Sequence, residues 1–301
     1  MALLIKRAII IANPASRQGK RLAERARQAL VSRSIECDLL FTEHPGHAAE
    51  LAMRHAPQYD AVFALGGDGT VMEVAGAMAG TETPVGILAG GTGNLIARAL
   101  GIPLKIKHAV PALLDGAQFQ IDLGRFESGR RFAVAAGVGI DASMVAETPS
   151  WLKRRLGILA YTIMGARAAL RAVVRRDFFH ARVTVDGAVH ERKAVAVMVA
   201  NFGAVLGNRI TLGPEIRTDD GVLDVCIFSP TTLRDALRIM WRMLRRDFSS
   251  DPCMLYARGK TFVVETTPPH PWQADGEMMG TTPFRIVVEP LAVRLLVPSE
   301  G

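Results

Sequence analysis

The residues with the sharpest chemical meaning are Gly66-Gly67-Asp68-Gly69-Thr70, which follow the apolar run Ala61–Leu65 and precede a helix-like stretch. A glycine-rich turn from a strand into a helix lets backbone amides approach a phosphate closely, and the helix N-terminus adds positive potential. Asp68 in such a turn repels an anion unless a cation stands between them, and Mg²⁺ is the obvious mediator. Thr70 can cap the helix or donate to a phosphate oxygen. The same residues also read as a plain tight turn before a capped helix. Three other loops have a similar character: Asn13-Pro14-Ala15-Ser16-Arg17, Thr42 with Gly46-His47 shortly after, and Gly90-Gly91-Thr92-Gly93-Asn94. Each lies at the C-terminal end of a predicted strand, the edge where open parallel sheets bind ligands. Four loops on one edge point to a nucleotide site.

Two standard nucleotide fingerprints are absent. A Walker A loop needs Ser or Thr after Gly-Lys, but Gly19-Lys20 is followed by Arg21. The dinucleotide pattern needs glycine at position 72, where Met72 stands, and a trial from Gly91 and Gly93 meets Ile96. A Rossmann dehydrogenase and a P-loop ATPase are therefore disfavoured. The histidines form no metal pattern, and His47 reads as a helix-start residue.

The elements that must position these loops alternate. Ala8–Ala12, Cys37–Phe41, Ala61–Leu65 and Val85–Leu88 read as strands, and Arg21–Val31, His47–His55, Val71–Ala79 and Leu95–Leu100 as helices. Such alternation implies parallel crossovers and an α/β layer. After about Gly124 the chain changes character. Val183–Val185, Asp186-Gly187 and Val189–Val199 predict a hairpin with a two-residue turn. Strand-like runs recur at Phe132–Val138, Val222–Phe228, Thr261–Glu265, Phe284–Val288 and Val293–Val297, interrupted by helical stretches at about 151–175 and 233–246. The expected domains are residues 1–124, α/β, and 125–301, mainly a β-sandwich, with the extreme C-terminus able to return to the first.

Composition agrees with two folded domains. The chain has 301 residues, 49% hydrophobic and 22% charged, which excludes global disorder. Cys37, Cys226 and Cys253 lie far apart, so neither a disulfide framework nor a cysteine-rich zinc site is expected, and a reducing cytoplasm is the natural home. No apolar run approaches the roughly 20 residues needed to span a bilayer. A net charge of +7 and a pI of about 9.7 suggest an anionic partner. Lys153, Arg154, Arg155, Arg167, Arg171, Arg175 and Arg176 fall among apolar residues with no acid between them. Arg234, Arg238, Arg242 and Arg245 recur at helical spacing beside Leu233, Leu237, Met240, Trp241 and Leu244. Each stretch reads either as a helix lying on an anionic membrane or as a packing helix with a solvated face.

The ordered set of motifs resembles the soluble bacterial diacylglycerol kinase family of lipid kinases, kin to sphingosine kinases. It rests on Asn13-Pro14, Thr42 with His47-Ala48, Gly66–Thr70, Gly91-Thr92-Gly93-Asn94 before Ala97-Arg98, Asp220-Gly221 and Asp275-Gly276-Glu277. The resemblance implies an ATP site built from Asn13, Pro14, Ala15, Ser16, Arg17, Thr42, Gly66, Gly67, Asp68, Gly69, Thr70, Val71, Met72 and Thr92, in a cleft between an α/β domain and a β-sandwich. It implies that Glu277 accepts the acceptor hydroxyl's proton, with Asp275 in the same catalytic loop and Asp68 ordering the catalytic Mg²⁺. It also implies a structural Mg²⁺ held by the Asp220 carboxylate and the carbonyls of Arg217 and Val222. By spacing alone, Asp186-Gly187, Asp220-Gly221 and Asp275-Gly276 are equally turns. Met72, Leu95 and Ile96 depart from the family pattern.

The expected protein is a cytoplasmic kinase, peripherally attached to anionic membrane, that phosphorylates a lipid alcohol, most simply diacylglycerol. No nucleic-acid partner is expected, and a homodimer is left open. An NAD kinase, which shares the Gly-Gly-Asp-Gly-Thr loop, and a non-catalytic membrane-binding protein are the alternatives.

Overall fold

A computed structural model describes residues 5–16, 19–139, 178–205, 210–211, 213 and 216–299. Arg17 and the basic stretch 151–175 lie outside the described residues. The chain divides into two units, Met1–Ile121 with Leu291–Gly301, and Asp122–Pro290.

The first unit is built on β1 (Arg7–Ala12), α1 (Gly19–Val31), β2 (Glu36–Phe41), α2 (His47–His55), β3 (Ala61–Gly66), α3 (Asp68–Ala77), β4 (Val85–Ala89), α4 (Leu95–Ala99) and α5 (Ile106–Leu114). Ile9, Ile10 and Ile11 are all fully buried, as are Val62, Phe63 and Ala64. Successive buried residues, rather than alternating ones, mark strands covered on both faces, the habit of a parallel sheet. The order is β2-β1-β3-β4, with parallel pairing throughout. α1 turns Ala23, Ala26 and Leu30 inward, a spacing that puts all three on one helical face. α5 buries Ile106, Ala109, Val110 and Leu113 although Pro111 lies inside it.

The second unit is a two-sheet antiparallel sandwich. The chain enters through β5 (Ala117–Phe126), then β6 (Arg131–Phe132), β7 (Ala135–Gly139), β8 (Phe179–Val185), β9 (Ala188–Ala194), β10 (Ala196–Ala200) and the small pair β11 (Ala204–Val205) and β12 (Ile210–Thr211). There follow β13 (Leu223–Phe228), α6 (Leu233–Arg245), β14 (Met254–Gly259), β15 (Thr261–Thr267), β16 (Pro271–Ala274), β17 (Glu277–Thr281) and β18 (Phe284–Val297). One sheet runs β14-β13-β10-β7-β16-β17; the other holds β9, β8, β15, the first half of β18, β5 and β6. Phe126, Phe132, Val197, Val225, Phe262, Trp272 and Ile286 share the core, where the Trp272 and Phe284 rings stack at 4.3 Å.

The hairpin β8–β9 forms as expected: Asp186 and Gly187 sit at φ 47° and 88°, the positive angles a two-residue turn requires. The single run Val189–Val199 does not. It divides at Val195 into β9 and β10, which belong to opposite sheets. The runs Phe284–Val288 and Val293–Val297 are instead one strand, β18, which bends at Leu291 with φ 46°. Its second half belongs to the first unit, where Leu295 pairs in parallel with Val85.

Candidate active site

In the first unit the strand order reverses between β1 and β3, and β1 lies between β2 and β3. Open α/β sheets bind ligands beyond the carboxyl ends of the strands at such a switch point. The loops after all four strands meet there. The Asn13 amide donates to the Leu65 carbonyl at 3.0 Å, and Asn13 Nδ2 donates to Thr70 Oγ1 at 3.4 Å. Asn13 Oδ1 accepts the Ala15 amide at 2.9 Å, which curls the β1 loop. Thr42 continues β2 beside β1, its amide on the Ala12 carbonyl.

The two glycine loops touch backbone to backbone. The Gly90 amide donates to the Gly66 carbonyl at 2.8 Å. A Cβ placed on Gly91 would lie 2.6 Å from Gly67 Cα, and one on Gly66 would lie 2.6 Å from Thr70 Cβ. Glycine is therefore a packing requirement here as well as a means of exposing amides. Asn94 closes the second loop on itself: its Oδ1 accepts the Gly91 amide at 3.0 Å and its Nδ2 donates to the Gly91 carbonyl at 2.9 Å.

The acids of α3 tie the loops together. Asp68 Oδ1 accepts the Ile96 amide at 3.3 Å, with the amides of Asn94 and Leu95 nearby at the start of α4. Burial pushes the Asp68 carboxyl up, and these amides act against that shift. Glu73, one helical turn further, accepts the amides of Gly46 and Ala48 at 2.9 and 3.1 Å and so caps α2. Sequence reasoning missed this role for Glu73; a half-buried acid in a mostly apolar helix carries no local sign of a partner 25 residues away. Thr70 was expected to cap α3 or meet a phosphate. Gly67 is the N-cap residue instead, and Thr70 is 8% exposed with its hydroxyl facing Asn13. Val71 is a core residue whose amide donates to the Gly67 carbonyl, whereas Met72 is half-buried and Thr92 and Ala15 are exposed. Ser16 Oγ is buried and finds no partner among the described residues. Helix-start amides, close-packed glycines and this orphaned hydroxyl suit a polyanion such as a nucleotide triphosphate.

His44, His47 and Glu50 bring their ligand atoms within 4.8 Å of one another. His47 Nδ1 accepts the Glu43 amide at 3.0 Å, which leaves its proton on Nε2, and the two imidazoles stack at 4.7 Å. His47 thus starts α2 rather than presenting a lone pair to an ion.

In the second unit, Asp275 is 9% exposed, and its carboxylate accepts three backbone amides: Ala133 at 2.7 Å, Val134 at 2.8 Å and Ala135 at 3.0 Å. Its own amide donates back to the Ala135 carbonyl. A carboxylate engaged in this way holds a turn. Asp275, expected in the catalytic loop, therefore positions Glu277 from the opposite end of the tight turn at Gly276. Glu277 begins β17, is exposed, and pairs with Arg130 at 2.9 Å.

The Asp220 loop is clasped by the fully buried Asp122. Asp122 Oδ2 accepts the Gly221 amide at 2.7 Å, and its amide donates to the Thr218 carbonyl at 2.6 Å. Asp220 and Asp224 share one guanidinium, that of Arg258; the second contact measures 3.1 Å. Asp224 is 3% exposed and its Oδ2 has no partner among the described residues. Burial and the neighbouring Asp220 push its carboxyl up to about 6, against the pull of Arg258. Two carboxylates facing one cation, with an orphaned oxygen, fit a further small hard cation. The Arg217 guanidinium pairs with Asp219 at 3.1 Å, so only its carbonyl is available to such an ion.

A switch-point site on a parallel sheet, followed in the chain by an antiparallel sandwich, defines a two-domain protein of the α/β class. The diacylglycerol kinase catalytic domain family matches residues 7–126, and the YegS C-terminal NAD kinase beta sandwich-like domain matches residues 133–297. A diacylglycerol kinase of Staphylococcus aureus is 31% identical over 304 residues, covering 98% of this chain and 93% of that protein. One of Bacillus subtilis is 29% identical over 98% of both chains. A Synechocystis protein is 30% identical over 244 residues, which are 55% of its own length. The crystal structure of a Bacillus anthracis diacylglycerol kinase matches with a TM-score of 0.73 at 20% identity over 97% of both chains, a likeness of fold. The chain belongs to the diacylglycerol kinase family.

Proposed function

We propose that this protein is an ATP-dependent lipid kinase that transfers the γ-phosphoryl group of MgATP to the hydroxyl of a lipid alcohol, first of all diacylglycerol, to give phosphatidic acid. The observation that carries the reading is the meeting of four strand-end loops at the β1/β3 switch point, with a buried Ser16 Oγ that has no partner among the described residues. Asn13, Pro14, Ala15, Ser16, Thr42, Gly66, Gly67, Gly69 and Thr92 bind the nucleotide by backbone and short side chains. Thr70, Val71 and Met72 support the turn. Arg17 lies outside the described residues and keeps its expected place as a phosphate contact.

The acceptor oxygen forms a bond to the γ-phosphorus as the bond to the β,γ-bridging oxygen breaks. ADP departs and the hydroxyl proton passes to the Glu277 carboxylate, which Asp275 holds in place. Such transfers depend on positioning and electrostatics more than on covalent chemistry. Mg²⁺ would neutralise the triphosphate, with Asp68 as the acid nearest that site. A structural Mg²⁺ would sit at Asp220 with the Arg217 and Val222 carbonyls. The reading places the enzyme in the cytoplasm against an anionic membrane. The NAD kinase-like description of the matched sandwich keeps NAD as the second acceptor to test.

The test is incubation with labelled ATP and separate acceptors (diacylglycerol, a sphingoid base, ceramide and NAD), with mass detection of product. Phosphatidic acid as the main product supports the reading; no lipid product refutes it. Glu277→Gln should lower turnover by about two orders of magnitude while ATP binding holds within about twofold.

A further inference from the structure

We propose that the outward face of α6, formed by Leu233, Leu237 and Trp241 with Arg234 and Arg245, is a docking surface for an anionic phospholipid bilayer. It extends the kinase reading, but it is measured without turnover, so either can fail alone.

The packing needs of α6 are met on its inward side. Ala236 and Ile239 are buried, and Ile239 packs with Cys253 and Met254 beside Phe228, Met243 and Tyr256. Thr232 and Asp235 form a reciprocal capping box at its start. The opposite side has no such account. Leu233, Leu237 and Trp241 are 44%, 57% and 57% exposed. Their spacing of four residues advances only about 40° per step, so they form one stripe. Arg234 and Arg245 project within about 40° of Trp241. The Arg245 guanidinium lies over the Trp241 ring, 4.6 Å from its centre. A solvated helix face would carry charge without large apolar groups; Leu and Trp interleaved with arginine suit the headgroup boundary.

The charge on this face is positive because nearby acids are already engaged. Asp235 lies in the capping box and pairs with Arg238 at 3.2 Å. Asp251 takes Arg238 at 3.2 Å and Arg242 at 2.7 Å, and Asp247 takes Arg242 at 3.3 Å. Arg238 and Arg242 thus lock the helix to its seat, and Arg234 and Arg245 remain on the outward side. A second copy related by a two-fold axis would set these arginines against their own likeness, whereas anionic headgroups complement them.

The protein is titrated with vesicles of phosphatidylcholine alone and of phosphatidylcholine with phosphatidylglycerol, by sedimentation and by tryptophan emission. Anionic vesicles should bind it and shift its emission to the blue, and Trp241→Phe should abolish most of that shift. Arg234→Ala with Arg245→Ala should weaken partitioning by about 30-fold at low salt, from the usual worth of a basic residue near anionic lipid. Leu237→Ser should weaken it as well, with an unchanged melting temperature. Retention of wild-type binding by both variants overturns the proposal, as does equal binding to both vesicle types. If Leu237→Ser instead converts a dimer to a monomer and leaves vesicle binding intact, the face joins two copies and the proposal fails.

Discussion

The contact between the two glycine loops makes Gly91→Ala a severe probe of the site. The new Cβ would stand 2.6 Å from Gly67 Cα, 3.1 Å from Asn94 Oδ1 and 3.3 Å from the Gly67 nitrogen. Carbon atoms prefer roughly 3.5–4.0 Å, so the loops must part by about 1 Å. Neither side yields easily. The Gly66–Gly67 turn is held by the Gly90 amide at 2.8 Å, and Asn94 Oδ1 is held by the Gly91 amide at 3.0 Å. Overpacking of this kind costs about 1–3 kcal/mol. A 1 Å displacement of positioning groups costs about 100-fold in rate. Gly80→Ala is the control, because φ there is +79° with nothing within 4 Å. It carries about 1–2 kcal/mol of backbone strain and no steric clash. Thermal melts with and without ATP, alongside steady-state kinetics, separate the two. Gly91→Ala should lose most of the ATP-induced rise in Tm and about 100-fold in kcat/KM for ATP, whereas Gly80→Ala should keep both while melting lower. Activity of Gly91→Ala within twofold of wild type would refute the assignment of these loops to the nucleotide. An equal loss in Gly80→Ala would reduce the effect to stability.

Asp275→Asn should destabilise the protein by about 3 kcal/mol in chemical denaturation, because an amide can accept from Val134 and Ala135 but turns an N–H toward the Ala133 donor. Its turnover should fall with KM for ATP unchanged; an unaltered denaturation midpoint would contradict the anchoring role. Asp251→Asn should cost about 2 kcal/mol at pH 7, at the low end for a buried pair because the Arg238 side chain is 42% exposed. Burial acts to raise the Asp251 carboxyl, but the Cys253 amide and both arginines hold it below its ordinary value, so its stabilisation is present above about pH 4 and is lost as pH falls through the folded value. The gap between wild type and Asp251→Asn should therefore close in acid; a gap that persists below pH 3 would remove the ionised pair from the account.

Much of the first unit is legible because its strands are covered on both faces. The run Ala8–Ala12 becomes β1 with one residue added, and α2 occupies His47–His55 as the spacing predicts. Where reading fails, a local signal is overridden by packing. Pro111 argues against a helix, yet α5 forms around it because Ile106, Ala109, Val110 and Leu113 still share one buried side. Pro290 suggests a break between two strands, yet β18 runs through it with only a bend at Leu291. The change of sheet at Val195 follows a change of burial, from the polar, largely exposed β9 (AVHERKA) to the apolar, largely buried β10 (AVMVA), and a single strand drawn through Val189–Val199 passes over it. The glycine loops were visible from residue type. Their mutual contact was not, because it joins positions whose backbone, not side chains, must meet.

The acids of the motifs show the same division between type and placement. Asp68, Asp275 and Asp220 read in the sequence as groups for metal or proton chemistry. In the fold, Asp68 receives the Ile96 amide in α4, Asp275 receives three amides between β6 and β7, and Asp220 faces Arg258. A carboxylate that accepts three backbone amides, as Asp275 does, is fixed in place, which is the behaviour of a scaffold. Glu277 differs: it is exposed, held by a single side chain, and sits on the far side of the turn that Asp275 fixes. The proposed reaction needs an acid that can reach and exchange a proton, and the proposal assigns that part to Glu277. Asp275, in the same unit as Glu277, fixes the turn that carries it, so its loss should show first as lost structure and only through that as lost turnover.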